Sequence, residues 1–138
     1  MPYPEEMVAP MRAELTSIGV AELKTAEEVA AAMADTSTNA LYFINSVCGC
    51  AAGSARPGLA MALQGDVKPD RVFTVFAGQD GDATAEVRKH ILGFPPSSPS
   101  AAMFKDGQMV AMIERHHIQG NSAEQVAGMF AQVFQAAR

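Results

Sequence analysis

Apolar positions in this chain change their period several times, and each change marks an element. Met7, Met11, Leu15 and Ile18 recur at helical spacing, which predicts a helix that Pro10 kinks or restarts and Gly19 stops. "TAEEVAAAM" predicts a second helix. Thr25 and Glu28 have capping-box spacing, and Val29 and Met33 form its inner face. After the polar break "DTSTN", the period vanishes in "LYFINSV" (41–47), a nearly all-apolar run that suits a strand buried on both faces of an α/β sheet. A helix follows over roughly 51–63, bent by Pro57 or finding its regular hydrogen bonding there, with Leu59 and Leu63 inward and Gly65 as its stop.

"RVFTVFAG" (71–78) reads as the second buried strand. "DATAEVRKHILG" reads as a helix with Asp82 as N-cap, Ala83, Val87 and Ile91 inward, and Gly93 as C-cap. Past the loop "FPPSSPS", two short strands, "AAMF" and "MVAMI", flank Asp106-Gly107, a two-residue hairpin signal. The last helix starts at Ser122, with Gln125 three residues on, and carries Val126, Met129, Phe130, Val133, Phe134 and Ala137 as one stripe. The order α-α-β-α-β-α-β-β-α predicts an α/β sandwich with a mixed sheet in one domain spanning 1–138.

Composition narrows the function. Of 138 residues, 49% are apolar, enough for a core without disulfide staples. The net charge of −5 and the lack of a basic stripe argue against nucleic acid. "MPYPEEMVAP" lacks the basic start and apolar run of a secretory signal, and no segment approaches a membrane span, so the expected setting is the cytoplasm, with no membrane partner. Thiols are kept reduced there, so a close cysteine pair points to redox or metal chemistry rather than to a structural disulfide.

The chain has two cysteines, Cys48 and Cys50, separated by Gly49. Cys48 ends the first buried strand and Cys50 starts the next helix, where ligands and catalytic groups gather in open α/β sheets. Free amides and the positive end of the helix dipole favour the thiolate there. Two residues of helix turn side chains about 200° apart, and two residues of strand put their Cα atoms near the upper limit for a bridge. A Cys48–Cys50 disulfide is therefore expected to be strained unless Gly49 supplies unusual backbone angles. The alternatives are two inert buried thiols, or a zinc site that adds His116 and His117. Adjacent strand-end histidines would point to opposite faces and fit one ion poorly.

"NSVCGCAAGSARPG", "VFAGQD", "PPSSPS" and "RHHIQG" together resemble the bacilliredoxins, small bacterial thioredoxin-like proteins with a C-G-C active site. The resemblance implies a thioredoxin-like α/β/α sandwich: a mixed four-stranded core sheet of order 4-3-1-2, with extra N-terminal helices. It also implies a cis-proline just before the third core strand, a place that Ser98-Pro99 fits. It implies removal of bacillithiol from S-bacillithiolated client proteins, with Cys48 attacking the mixed disulfide and Cys50 resolving unless a second bacillithiol does so. Gly49, Ser98, Pro99 and His116 would position the substrate. No metal or other cofactor is implied. Bacillithiol is a co-substrate, and electrons come from the thiol pool or a separate disulfide reductase.

A general disulfide reductase or isomerase and a thiol-sensing or metal-binding module are the competing functions. His116 or His117 is a candidate for stabilising the thiolate, against the alternative of a surface pair. Arg115 and Arg56 are candidates for an anionic thiol. Gln79 and Asp80 either bind substrate or cap the helix that follows.

Overall fold

A computed structural model describes residues 2–138. Its elements are α1 (Glu5–Thr16), β1 (Ala21–Glu22), α2 (Ala26–Ala34), β2 (Ala40–Asn45), a π-helical turn (Ala51–Ala55) running into α3 (Arg56–Ala62), β3 (Arg71–Phe76), α4 (Gly81–Lys89), β4 (Ser100–Lys105), β5 (Gln108–Ile113), the short α5 (Arg115–Ile118) and α6 (Ala123–Ala136). The sheet has the order β1-β3-β2-β4-β5; β3 runs parallel to β2, and β4 runs antiparallel to β2 and β5.

Every residue of β2 is buried, because apolar layers cover both faces of the central strand. On one face Leu15, Leu59, Ile118, Val126, Phe130 and Phe134 pack over Leu41 and Phe43. On the other, Val29, Ala83, Val87 and Ile91 cover Tyr42 and Ile44. The alternation of β2 thus serves two cores, and that is why its sequence looks continuously apolar.

The sheet has five strands rather than four. β1 is only two residues long, too short to show an alternation, and it joins the sheet through pairing with β3. Pro10 does not restart the first helix, which runs unbroken through it. The carbonyl that Pro10 leaves without its helix bond belongs to exposed Glu6, open to solvent.

Asp80, not Asp82, takes the N-cap position of the helix after β3, without a side-chain cap hydrogen bond, and the helix ends at Lys89, before Gly93. Its last turn tightens, with the Ile91 amide bonded to the Arg88 carbonyl. The capping boxes at Thr25–Glu28 and Ser122–Gln125 form in full. Asp106 and Gly107 take positive φ values of 54° and 77°, the two-residue hairpin geometry.

Candidate active site

The site is built at the C-terminal end of β2. Asn45, the last strand residue, accepts the Ser46 amide on Oδ1 (2.9 Å) and takes Arg56 Nη1 on the same atom (2.9 Å). Arg56 Nη1 also donates to the Ser46 carbonyl (2.9 Å), and the Ser46 hydroxyl accepts the Cys48 amide (3.2 Å). Arg56 Nε lies 3.1 Å from Glu14 of α1, an ion-pair contact rather than an aligned hydrogen bond. A buried guanidinium therefore pins the turn that presents Cys48 and ties it to α1. Arg56 is a structural residue here, not a ligand for an anionic thiol. Asn45, Ser46 and Glu14 were not singled out from sequence. The visible signal was Asn-Ser breaking an apolar run at the strand end.

Cys48 lies immediately before the helical run that starts at Gly49, and Cys50 lies in its first turn. This junction is neither helix nor strand, so neither simple geometry applies. The two Sγ atoms are 2.9 Å apart in the dithiol form. Gly49 has its φ outside the left-handed region, and a Cβ there would meet nothing within 4 Å. The conformation does not demand glycine. The missing side chain leaves open space beside the pair instead. Downstream, the π-helical turn absorbs the register change ahead of Pro57. Arg56 N–H reaches back to the Ala51 carbonyl, and α-helical bonding begins there.

The two thiols are unlike. Cys48 is held below the ordinary thiol value, first by the Cys50 thiol, then by the Cys50 amide, the charge of Arg115 and the Ala51 amide, with burial opposing them. Cys50 is pushed up, first by burial and then by the Cys48 sulfur. Cys48 is therefore the thiol that gives up its proton more readily, and Cys50 the one that holds it.

Register places the remaining groups. Ile44 pairs with Ser100 and Ala101 with Ile113. One step further along each ladder, Pro99 falls beside Asn45; two steps beyond Ile113, Arg115 falls beside Pro99. Three adjacent strands thus deliver the cysteine turn, Pro99 and Arg115 to one end of the sheet. The Ser98–Pro99 peptide is cis, and Pro99 directly precedes β4.

The histidines do not join them. His116 and His117 lie on the helical turn of α5, not at a strand end, so their rings are neighbours with centroids 4.1 Å apart rather than on opposite faces. His117 Nδ1 accepts the Glu114 amide (3.0 Å), and His116 Nε2 sits 3.8 Å from Glu114 Oε2. Both line an open, largely apolar groove of about 580 Å³ between β5 and α6, which includes neither cysteine. Among the described residues, Glu114, His116 and His117 form a group of possible metal donors, and the thiols belong to no such group. The four-ligand set of two cysteines and two histidines is not assembled.

Gln79 and Asp80 are likewise engaged elsewhere. Gln79 accepts the Tyr3 amide and donates to Glu5. Asp80 binds Arg12, which also pairs with Glu5 and Glu22.

Comparison with known proteins agrees with this geometry. Residues 3–137 match the family described as "Disulphide isomerase". A Salinibacter ruber protein named bacilliredoxin is 52% identical over 138 residues, covering 99% of this chain and 81% of its own. The chain belongs to the bacilliredoxin family. A Koribacter versatilis bacilliredoxin is 48% identical over 132 residues, covering 96% of this chain and 91% of its own. Among solved structures, thioredoxin O1 from Arabidopsis thaliana in its oxidized state superimposes with a TM-score of 0.58 at 18% identity, over 84% of this chain and 98% of the other. This confirms the thioredoxin-like fold. Family and fold together make the chain a thiol–disulfide oxidoreductase. Among the described residues, no helix is long and apolar enough to cross a membrane.

Proposed function

We propose that this bacilliredoxin removes bacillithiol from S-bacillithiolated proteins. The observation that carries the reading is the geometry of the pair: Cys48 and Cys50 Sγ lie 2.9 Å apart at the end of β2, with Cys48 held below and Cys50 pushed above the ordinary thiol value. The Cys48 thiolate attacks the bacillithiol sulfur of the mixed disulfide. The client leaves as a thiolate, takes up a proton and is restored, and Cys48 carries the bacillithiol. Cys48 is now uncharged, so one of the causes raising Cys50 is gone. Cys50 loses its proton and attacks Cys48 Sγ, and bacillithiol departs as the second thiolate. The sulfurs must close by only ~0.9 Å to reach disulfide bonding distance. A dithiol reductase or two thiols from the pool then return two electrons. Ser98 and Pro99 present backbone to the substrate, the protein acts in the cytoplasm, and the chemistry needs no metal or bound cofactor.

The test uses a purified client carrying one bacillithiol mixed disulfide, mixed with wild type, Cys48→Ala or Cys50→Ala at pH 8 and followed by intact mass. Cys50→Ala takes up one bacillithiol and keeps it, wild type releases it, and Cys48→Ala leaves the client unchanged. If neither wild type nor Cys50→Ala accepts the adduct, the reading is wrong. Activity on scrambled protein disulfides alone would favour a general isomerase instead.

A further inference from the structure

The cation at the dithiol has no acidic partner. Among the described residues Arg12, Arg56 and Arg71 each pair with a carboxylate, whereas Arg88, Arg138 and, at the dithiol end of the sheet, Arg115 pair with none. Glu114, next to it in sequence, is occupied: it caps α5 and faces His116. What holds Arg115 is the loop before Pro99. Its amide donates to Ser97 Oγ (3.4 Å) and its Nη1 to the Ser98 carbonyl (3.3 Å). Nη1 is thereby held, and among the described residues Nε and Nη2 have no acceptor. Arg115 is half-buried, in a protein of net charge −5. An arginine held on one side, with donors free on the other, matches a carboxylate.

We propose that Arg115 is the recognition residue of the dithiol site, binding a carboxylate on the small-thiol half of the mixed disulfide. The inference rests on the oxidoreductase function proposed above and gives it a selectivity rule. A mixed disulfide offers two sulfurs. Anchoring the carboxylate-bearing half beside Ser98–Pro99 brings its sulfur, not the client's, to Cys48. The new bond forms between Cys48 and the small thiol, and the client sulfur leaves. Free Nε–H and Nη2–H groups bind the carboxylate throughout, and no electrons pass through Arg115.

The test isolates charge. One client cysteine is converted separately to mixed disulfides with 3-mercaptopropionate and with its uncharged amide, 3-mercaptopropanamide, and also with bacillithiol. Wild type, Arg115→Lys and Arg115→Gln are compared by kcat/KM. Wild type is expected to prefer the carboxylate over the amide. In Arg115→Gln that ratio falls by about tenfold or more, mainly through KM, because a charge-assisted hydrogen bond is lost. Arg115→Lys restores part of it, since it supplies charge without the fork.

Comparing the ratio within each variant cancels any loss of Cys48 reactivity or of folded protein. An unchanged ratio in Arg115→Gln overturns the proposal. Wild-type failure on the bacillithiol adduct, with the carboxylate preference intact, overturns the bacillithiol assignment and leaves Arg115 as an anion site.

Discussion

Gly58→Ala and Gly128→Ala make the same chemical change in two helices and are expected to have opposite effects. Alanine replaces glycine in a helix interior with a gain of about 1 kcal/mol from backbone entropy. At Gly128, exposed in α6, a Cβ meets nothing within 4 Å, so that gain is realised. At Gly58, buried where α3 crosses α6, a Cβ would lie 2.8 Å from Val126 Cγ1 and 3.0 Å from the Ala123 carbonyl oxygen. The second is backbone, and the first belongs to a β-branched side chain with one favoured rotamer in a helix, so neither yields cheaply. Overpacking of this kind costs about 1–3 kcal/mol, which exceeds the propensity gain over most of that range.

A chain of this size shifts its Tm by roughly 3 °C per kcal/mol. Thermal unfolding of the reduced protein should therefore rise by about 3 °C for Gly128→Ala and fall by several degrees for Gly58→Ala. Equal stabilisation at both positions would refute the rigid α3–α6 contact on which this reasoning depends.

Other outcomes follow from named groups. Cys50→Ala removes the largest cause lowering Cys48, so the pH midpoint of Cys48 alkylation should move up; an unmoved midpoint would mean that the thiols do not hydrogen-bond. Tyr42 buries a hydroxyl with no partner among the described residues, and burial pushes its pKa from 10.0 up to about 12. Tyr42→Phe should leave stability unchanged or raise it by about 1 kcal/mol in urea unfolding. Because the folded value is raised, the wild type should lose stability as the pH rises from 10 toward about 12, and the variant should lack that contribution. Arg12→Met leaves Asp80 with no cation among the described residues and Glu22 with only Lys24, 3.9 Å away; both carboxylate side chains are 13% exposed. A loss of about 3–5 kcal/mol is expected, and a loss below 1 would show that these carboxylates do not depend on the guanidinium.

Local chemistry was enough to read much of the chain. The apolar run of β2, the mostly apolar β3, the Thr25 and Ser122 capping boxes and the Asp106-Gly107 hairpin are decided within a few residues, so sequence alone exposed them. The two cysteines at a strand-to-helix junction also marked the site without any coordinates.

Other features depended on what lies across the fold. The two-residue β1 exists only because β3 offers an edge, and Asp80 sits at the N-cap of α4 with its carboxylate turned to Arg12, 68 residues away, instead of to the helix amides. Arg56 reads as a helix-surface cation until Asn45, Ser46 and Glu14 close around it. His116 and Arg115 are adjacent in sequence, yet the arginine reaches the Ser98 carbonyl before Pro99, whereas the helical turn at α5 places the histidine in a groove that includes neither cysteine. Periodicity reports which side of an element is apolar. It carries no information on which distant charge or carbonyl will meet the other side, and at this site those meetings set the chemistry.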